Sequence, residues 1–255
     1  MNGEPVAYHP DDSVVHRLHP VTKVVLLVCC ILGAYLAPVP VLLALLAALA
    51  GAASLAGVGR AVGRAAVPIL VPLGVGLLVI HGLFTKGAGV ALLAVGPVTL
   101  WREGVLYAVS FFGVLTAFVL AGLLFVTTTH PKKLMVSLTE KGVPRKLGYV
   151  FVASLQLVPD LQRRAGRILD AQRSRGLDTS GSPRNRILAL VALLTPLLIG
   201  ALISTRTRSL ALEARGFSIE GPRSSLYSLV ESPLDHALRV AAVLGVVALV
   251  AWRLV

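Results

Sequence analysis

Two short segments of the chain repeat one pattern of residues that could make charged contacts with a partner. Residues 171–176 (Ala-Gln-Arg-Ser-Arg-Gly) and 211–216 (Ala-Leu-Glu-Ala-Arg-Gly) share the order Ala-x-x-small-Arg-Gly, forty positions apart. The guanidinium group of arginine is a planar fork of N–H donors that binds a carboxylate through two hydrogen bonds. The repeat therefore indicates two matched sites, at Arg175 and Arg215, for acidic groups on another protein.

The glycine of each repeat also has a purely structural explanation. A glycine just past a helix end adopts the left-handed conformation that other residues avoid, and an arginine in the last turn is favoured by the helix dipole. A single Arg-Gly helix end is common and needs no function. Two of them at the ends of consecutive long helices favour partner binding in addition to capping.

No other pattern in the sequence points to nucleotide binding, ion coupling or metal binding. The phosphate-binding motif G-x-x-x-x-G-K-[ST] is absent, so any ATP that drives this protein binds to another subunit. The acidic residues lie outside the clear apolar segments, whereas ion-coupled transporters keep an ionisable group at the membrane midplane. His81 is the one candidate, and its place near a helix end beside Gly82 favours an interfacial position.

Histidines near the N-terminus raise the question of a metal site. The candidate ligands are His9, Asp11, Asp12, His16 and His19. Their spacing matches no tight ligand pattern, so we interpret the segment as a capped, polar entry to the first helix. We therefore predict no metal site, no cofactor and no catalytic residue.

The composition places these features in a membrane protein. The chain has 255 residues, of which 56% are hydrophobic and 14% charged, with a mean hydropathy of +0.82. Soluble domains carry about 25% charged residues, and disordered chains are poor in aliphatic residues, so both classes are excluded. The net charge of +12 is explained in part by the basic bias of cytoplasmic loops and in part by an acidic protein partner, without nucleic acid.

Apolar segments define the expected helices. They lie at 24–37, 41–58, 65–83, 104–126, 187–204 and 237–254. A membrane-spanning helix needs about 20 apolar residues, or about 17 when tilted. Pro38 and Pro40 separate the first two segments into a helical hairpin. The sequence predicts an all-α integral membrane protein with about five transmembrane helices and two long cytoplasmic helices.

The basic residues predict the orientation. Of the 24 Lys and Arg residues, 16 lie between His130 and Arg223, so this stretch is expected in the cytoplasm, with 84–103 outside. Within the cytoplasmic stretch, apolar residues recur every three or four positions, which predicts one helix from Pro144 to Arg175. A second helix is predicted from about Arg184 to Arg215. We expect 187–204 to pack against protein near the inner surface, because a single crossing would place Arg215 outside.

Taken together, these motifs resemble the transmembrane T component of energy-coupling-factor (ECF) transporters, the CbiQ/EcfT family. The resemblance covers nearly the whole chain and rests on residues 12–23, residues 127–146 and the two Arg-Gly helix ends. The family motif is Ala-Arg-Gly. Ser174 stands in place of its alanine in the first copy, which exchanges one small residue for another.

The resemblance implies a mechanism, partners and a location. The chain would be a non-enzymatic subunit of an importer for a vitamin or a transition-metal ion, in the cell membrane of a prokaryote. Two cytoplasmic ABC-type ATPase subunits would dock on two coupling helices, and a small membrane subunit (the S subunit) would bind the substrate. The residues implied at the ATPase contacts are Arg175, Arg215, Ser174, Gly176, Ala214 and Gly216. The implied domains are 1–126, transmembrane; 127–235, coupling region; and 236–255, C-terminal transmembrane helix.

Two alternative functions remain open at the level of sequence. A permease subunit of a conventional ABC importer would need its own substrate pathway and one short coupling segment instead of two long helices. A membrane-embedded enzyme would need a nucleophile, an acid or a metal cluster within the membrane, and none of these is evident in the sequence.

Overall fold

The computed structural model describes residues 13–84, 91–95, 98–177, 182–219 and 231–254. Its elements, in chain order, are α1 Val14–Arg17, α2 Pro20–Leu36, α3 Val39–Leu55, α4 Gly59–Phe84, β1 Ala91–Val95, β2 Val98–Trp101, α5 Arg102–Thr128, α6 Pro131–Glu140, α7 Arg145–Ser174, α8 Pro183–Ala214 and α9 Pro233–Leu254. The predicted all-α class is confirmed. The structure adds the short helices α1 and α6. It also adds an antiparallel pair of strands, β1 and β2, in a stretch that the sequence predicts as a loop.

Four of the described helices are long and apolar enough to cross a membrane: Gly59–Gly82, Arg102–Thr128, Ile187–Ala214 and Pro233–Leu254. Three of them correspond to the predicted segments 65–83, 104–126 and 237–254. The predicted hairpin over 24–58 corresponds to α2 and α3, which are apolar but only 17 residues long each. The fourth, in α8, is long enough to span, so the expectation that 187–204 does not cross the bilayer stays a prediction.

Histidine and proline begin two of the helices. His19 Nδ1 accepts a hydrogen bond from the Val21 amide, and His130 Nδ1 accepts one from the Lys132 amide. A proline follows each histidine at the first helical position, where its missing N–H would have had no partner in any case. The predicted capped entry to the first apolar helix is confirmed.

The chain divides into two compact units. Unit 1 is Met1–Lys141 with Leu229–Val255, and unit 2 is Gly142–Ser228. The domain limits at 126/127 and 235/236 expected from the sequence stay a prediction.

Unit 1 packs through small residues. Ala34, Ala117 and Ala121 form a core with Leu42 and Leu49, which joins α2, α3 and α5. Glycines bring α4 and α5 close together. A Cβ at Gly104 would overlap the backbone carbonyl of His81, and a Cβ at Gly74 would lie 2.8 Å from the ring of Phe112.

Unit 2 contains the two long helices. α7 has 30 residues and α8 has 32, which confirms the helices predicted over 144–175 and 184–215. Pro159 and Pro196 lie inside them without ending either helix. Most described residues of these two helices are exposed. Of the described residues in the pair, Gly148 and Ala189 are buried.

Candidate partner-binding site at two helix ends

The end of α7 is a glycine-capped turn that presents Arg175. Gly176 has a φ of 87°, in the left-handed region that favours glycine. Its amide donates to the Arg173 carbonyl at 2.9 Å, and the amide of Leu177 donates to the Gln172 carbonyl at 3.0 Å. This pair of bonds defines a Schellman cap. The backbone that carries Arg175 is therefore fixed by hydrogen bonds.

The end of α8 has the same geometry. Gly216 has a φ of 70°, and its amide donates to the Glu213 carbonyl at 2.8 Å. The amide of Phe217 donates to the Leu212 carbonyl at 2.9 Å, which completes a second Schellman cap. Because Arg215 holds the same cap position as Arg175, the sequence repeat corresponds to a repeated structure.

The side chains at both helix ends are accessible to a partner. The side chains of Ser174, Arg175, Ala214 and Arg215 are exposed. The Ser174 hydroxyl donates to the Asp170 carbonyl at 3.1 Å, so it serves its own helix. Within the described part of the chain, neither Arg175 nor Arg215 takes part in an ion pair. Both guanidinium groups can therefore bind an external carboxylate without breaking an ion pair between described residues.

The structure does not bring the two arginines together. Three contacts show that α7 and α8 run antiparallel: Arg164 to Ser204, Asp160 to Arg208, and the ring of Tyr149 to the ring of Phe217. Extending this register places Arg215 about 22 residues before Arg175 along α7, or roughly 33 Å at 1.5 Å per residue. The candidate site thus consists of two separate contact points at opposite ends of one helix pair.

A polar cross-link that sequence reasoning missed fixes this pair. Arg164 donates to the Asp160 carboxylate at 3.1 Å and to the Ser204 hydroxyl at 3.0 Å, and it reaches the Gly200 carbonyl at 3.5 Å. Arg208 also pairs with Asp160, at 3.6 Å. The spacing of Asp160 and Arg164 is a sequence signal for a pair on one helix. Only the fold could identify the partners on α8.

A second polar cluster lies in unit 1. Asp235 is placed by sequence outside the C-terminal span, but it lies in the first turn of α9 and is only 1% exposed. Its carboxylate accepts hydrogen bonds from the amides of His19 and Ser232, both at 2.9 Å. Lys23, 8% exposed, donates to the Thr128 carbonyl at 2.7 Å and to the His16 carbonyl at 3.4 Å. These bonds join the starts of α2 and α9 to the end of α5.

The N-terminal histidines have structural partners. His16 Nδ1 lies 2.8 Å from the Ser13 hydroxyl, and His19 caps α2. The described residues contain no group of three or more His, Cys, Asp or Glu side chains placed to hold a metal ion. The other candidate ligands, His9, Asp11 and Asp12, lie outside the described residues. His81 stacks edge-on against Tyr107, with 4.9 Å between ring centroids.

Comparison with known proteins identifies the family of this chain. The model of the CbiQ family, described as cobalt transport protein, matches residues 11–225. A protein of Limosilactobacillus fermentum, named energy-coupling factor transporter transmembrane protein EcfT, is 29% identical over 96% of both chains. An EcfT protein of Leuconostoc gelidum is 31% identical over 67% of this chain and 66% of its own.

A longer relative is also similar over nearly the whole chain. It is a protein of Bifidobacterium longum named as an ABC transporter ATP-binding protein, and it is 29% identical over 95% of this chain. The chain spans about a third of that relative's length (32%). The family match covers both candidate contact points and most of the described helices. The chain therefore belongs to the CbiQ family and is a multi-pass transmembrane component of the energy-coupling-factor type, as the resemblance of its motifs predicted.

Proposed function

We propose that this chain is the transmembrane coupling subunit of an ATP-driven ECF-type importer for a vitamin or a transition-metal ion. Two cytoplasmic ATPase subunits bind its two helix ends, one at Arg175 and one at Arg215. A small substrate-binding membrane subunit binds its apolar helices. The observation that carries this proposal is the pair of arginine-tipped caps, alike in their glycine conformation and hydrogen bonds, at opposite ends of the α7–α8 pair.

The distance between the caps supports two docking sites instead of one. Two arginines roughly 33 Å apart cannot enter one pocket of a single ATPase, but they can reach two subunits of a dimer. In each contact the guanidinium binds carboxylates of the partner with two hydrogen bonds. Such pairs are strongest where docking removes water from them.

The continuity of the two helices and their polar cross-link support transmission of motion. α7 and α8 are continuous over 30 and 32 residues and are cross-linked near their centres by Asp160, Arg164 and Ser204. A displacement applied at one cap therefore moves the crossing point and the rest of the pair. In the proposed mechanism, the ATPase subunits move the caps, and the substrate-binding subunit receives the motion.

The relatives support the proposed partners. The names of two of them place them in energy-coupling-factor transporters, and the longer Bifidobacterium longum relative carries an ATP-binding name. The family description mentions cobalt transport. In the proposed complex, however, the substrate is selected by the separate membrane subunit, and this chain supplies coupling only.

Co-purification from the native membrane tests the proposal. The tagged wild-type chain should carry two ABC-type ATPase subunits and a small membrane protein, and the complex should hydrolyse ATP. The Arg175→Ala/Arg215→Ala variant should lose the ATPase subunits and keep the small membrane protein. Each lost contact is expected to weaken binding by about 2–5 kcal/mol, because the partner's carboxylates are left unpaired.

A matched control uses exposed arginines from within the same helices, away from the caps. Arg163→Ala/Arg206→Ala removes the same charge from α7 and α8 and should leave the complex intact. Retention of the ATPase subunits by the cap variant at wild-type amounts would overturn the assignment of the docking residues. Substrate uptake by the chain and ATPase subunits alone, without a small membrane protein, would favour a conventional permease.

A further inference from the structure

Unit 1 contains a basic cavity where the chain enters α2 and leaves α5. Its volume is about 90 Å³. The lining residues are His16, Arg17, Leu18, His19, Pro20, Lys23, Thr128, Thr129, His130 and Lys133. This lining includes three basic side chains, those of Arg17, Lys23 and Lys133, and no acidic one, so the cavity is suited to an anion.

Two further features of the cavity favour an anion. Thr129 is 5% exposed and its hydroxyl has no hydrogen-bond partner among the described residues. α6, a helix of ten residues, begins beside the cavity at Pro131, and the positive end of a helix dipole attracts negative charge. The carboxylate of Asp235 is not among the lining residues, and it accepts hydrogen bonds from the amides of His19 and Ser232.

An apolar cavity adjoins the basic one. Its volume is about 70 Å³, and it shares Lys23 and Thr128 with the basic cavity. The rest of its lining is apolar, formed by Val15, Leu26, Leu27, Cys30, Leu49, Ala121, Leu124 and Phe125. A ligand that fills both cavities must therefore have an anionic head and an apolar tail.

We propose that these adjoining cavities bind one anionic phospholipid, with its phosphate beside Arg17, Lys23 and Lys133 and the start of an acyl chain against Leu27 and Cys30. The site lies where α5, a helix long enough to span the membrane, ends at Thr128. If α5 spans the bilayer, this position would lie at the headgroup level, on the side that the basic residues predict to be cytoplasmic. Basic pockets between transmembrane helices on that side are suited to anionic headgroups.

A phospholipid bound in these cavities would connect parts of unit 1 that are distant in sequence. Lys23 already joins the start of α2 to the end of α5, through the Thr128 carbonyl. A phosphate beside Lys23 and Lys133 would add the start of α6 to this junction. The proposal depends on the membrane location of unit 1 and does not depend on the proposed coupling function.

Thermal unfolding and native mass spectrometry of the full-length chain in detergent test this site. Palmitoyl-oleoyl phosphatidylglycerol should bind and stabilise the chain, while palmitoyl-oleoyl phosphatidylcholine should bind about tenfold more weakly or worse. Inorganic phosphate and glycerol 3-phosphate, which have the anionic group without acyl chains, should also be at least about tenfold weaker, because the apolar contacts are missing. Equal stabilisation by inorganic phosphate would overturn the lipid assignment.

Matched variants separate a built site from general surface charge. Arg17→Gln/Lys133→Gln removes two exposed lining charges and should weaken phosphatidylglycerol binding by about tenfold or more. Arg60→Gln/Arg64→Gln removes two exposed charges from α4, in the same unit, and should change binding by less than about twofold. Equal losses in the two variants would overturn the proposal.

A third variant tests the proposed contact between the acyl chain and the apolar cavity. Cys30→Leu adds volume to the apolar cavity and should weaken binding of phosphatidylglycerol while leaving binding of glycerol 3-phosphate unchanged. If it leaves binding of both ligands unchanged, the acyl-chain assignment is wrong.

Discussion

The two units of this protein are stabilised in different ways. Unit 1 buries alanines in its core and holds its helix ends with buried polar groups, notably Asp235 and Lys23. The α7–α8 pair of unit 2 buries little. Its described side chains are mostly exposed, and a partly exposed polar cross-link at Asp160 joins its helices.

This difference separates a unit with a buried core of its own from a unit whose described helices contain few buried residues. The apolar segment of α8 exposes large side chains such as Leu188, Leu198 and Ile203. An exposed apolar surface of this kind indicates contact with lipid or with another protein. We therefore expect mutations in unit 1 to act on folding, and mutations in unit 2 to act on assembly.

The largest difference between the predicted outcomes for the two units concerns whether α8 crosses the membrane. Single cysteines at Ser180→Cys and Ser224→Cys, in a background without Cys29 and Cys30, should both resist an impermeant maleimide added to intact cells. Both should react after the membrane is opened. The reason is the basic bias of the stretch 130–223, which opposes export of its arginines.

Labelling of Ser224→Cys but not of Ser180→Cys in intact cells would show that the segment crosses the bilayer. Arg175 and Arg215 would then lie on opposite sides of the membrane, and docking of both on cytoplasmic ATPase subunits would be impossible.

The largest stability effect is expected at Asp235 in unit 1. Asp235→Leu leaves the amides of His19 and Ser232 without their acceptor, one of them in a buried contact. The expected loss is about 3 kcal/mol in the free energy of unfolding, measured in detergent. Asp235→Asn keeps one carbonyl acceptor and should lose less. Asp170→Asn in unit 2, where the side chain is 76% exposed, is the control; equal losses at the two positions would contradict the comparison.

A smaller loss is expected from Gly104→Ala, at the contact between α4 and α5. The added Cβ would overlap the backbone carbonyl of His81, so the helices must move apart. We expect destabilisation of about 1–3 kcal/mol. Gly76→Ala is the matched control, because its Cβ would meet nothing within 4 Å. An unchanged unfolding midpoint for Gly104→Ala would show that the helices do not pack at this distance.

In unit 2, breaking the cross-link should affect coupling more than stability. Asp160→Asn removes the charge that pairs with Arg164 and Arg208. Since these groups are 25–48% exposed, the loss of stability should be under about 1 kcal/mol. Uptake by the complex should fall while the ATPase subunits remain bound. Normal uptake would show that the cross-link has no role in transmission, and Arg163→Gln serves as the control on the same helix.

The smallest effect is a pH dependence in unit 1. Hydrogen bonds from Lys141 and Arg239 lower the pKa of Glu231 from 4.5 to about 2. A carboxyl group whose pKa is lowered by folding stabilises the protein above its unfolded pKa, and this contribution is lost as the pH falls. The difference in unfolding midpoint between the wild type and Glu231→Gln should be constant above about pH 4.5 and should shrink towards pH 2. A difference that does not change with pH would contradict this assignment.

The sequence by itself determined the class of the molecule and its most informative local structures. Apolar length predicted the helices, because a spanning segment must satisfy its backbone hydrogen bonds internally. The Arg-Gly repeat predicted both caps, since a left-handed residue at a helix end depends on local backbone geometry, and glycine has no Cβ to oppose it. Arg175, Gly176, Arg215 and Gly216 were identifiable for that reason.

The tertiary structure alone decided which distant residues meet. Nothing local marks Asp235 as buried, because its partner amide at His19 lies 216 positions away. In the same way, only the antiparallel packing of α7 on α8 brings Arg164 to Ser204 and sends Arg175 and Arg215 to opposite ends. The two cavities that meet at Lys23 also depend on helices from separate parts of the chain. Helix periodicity and capping are short-range properties, whereas burial and pairing depend on how the whole chain packs.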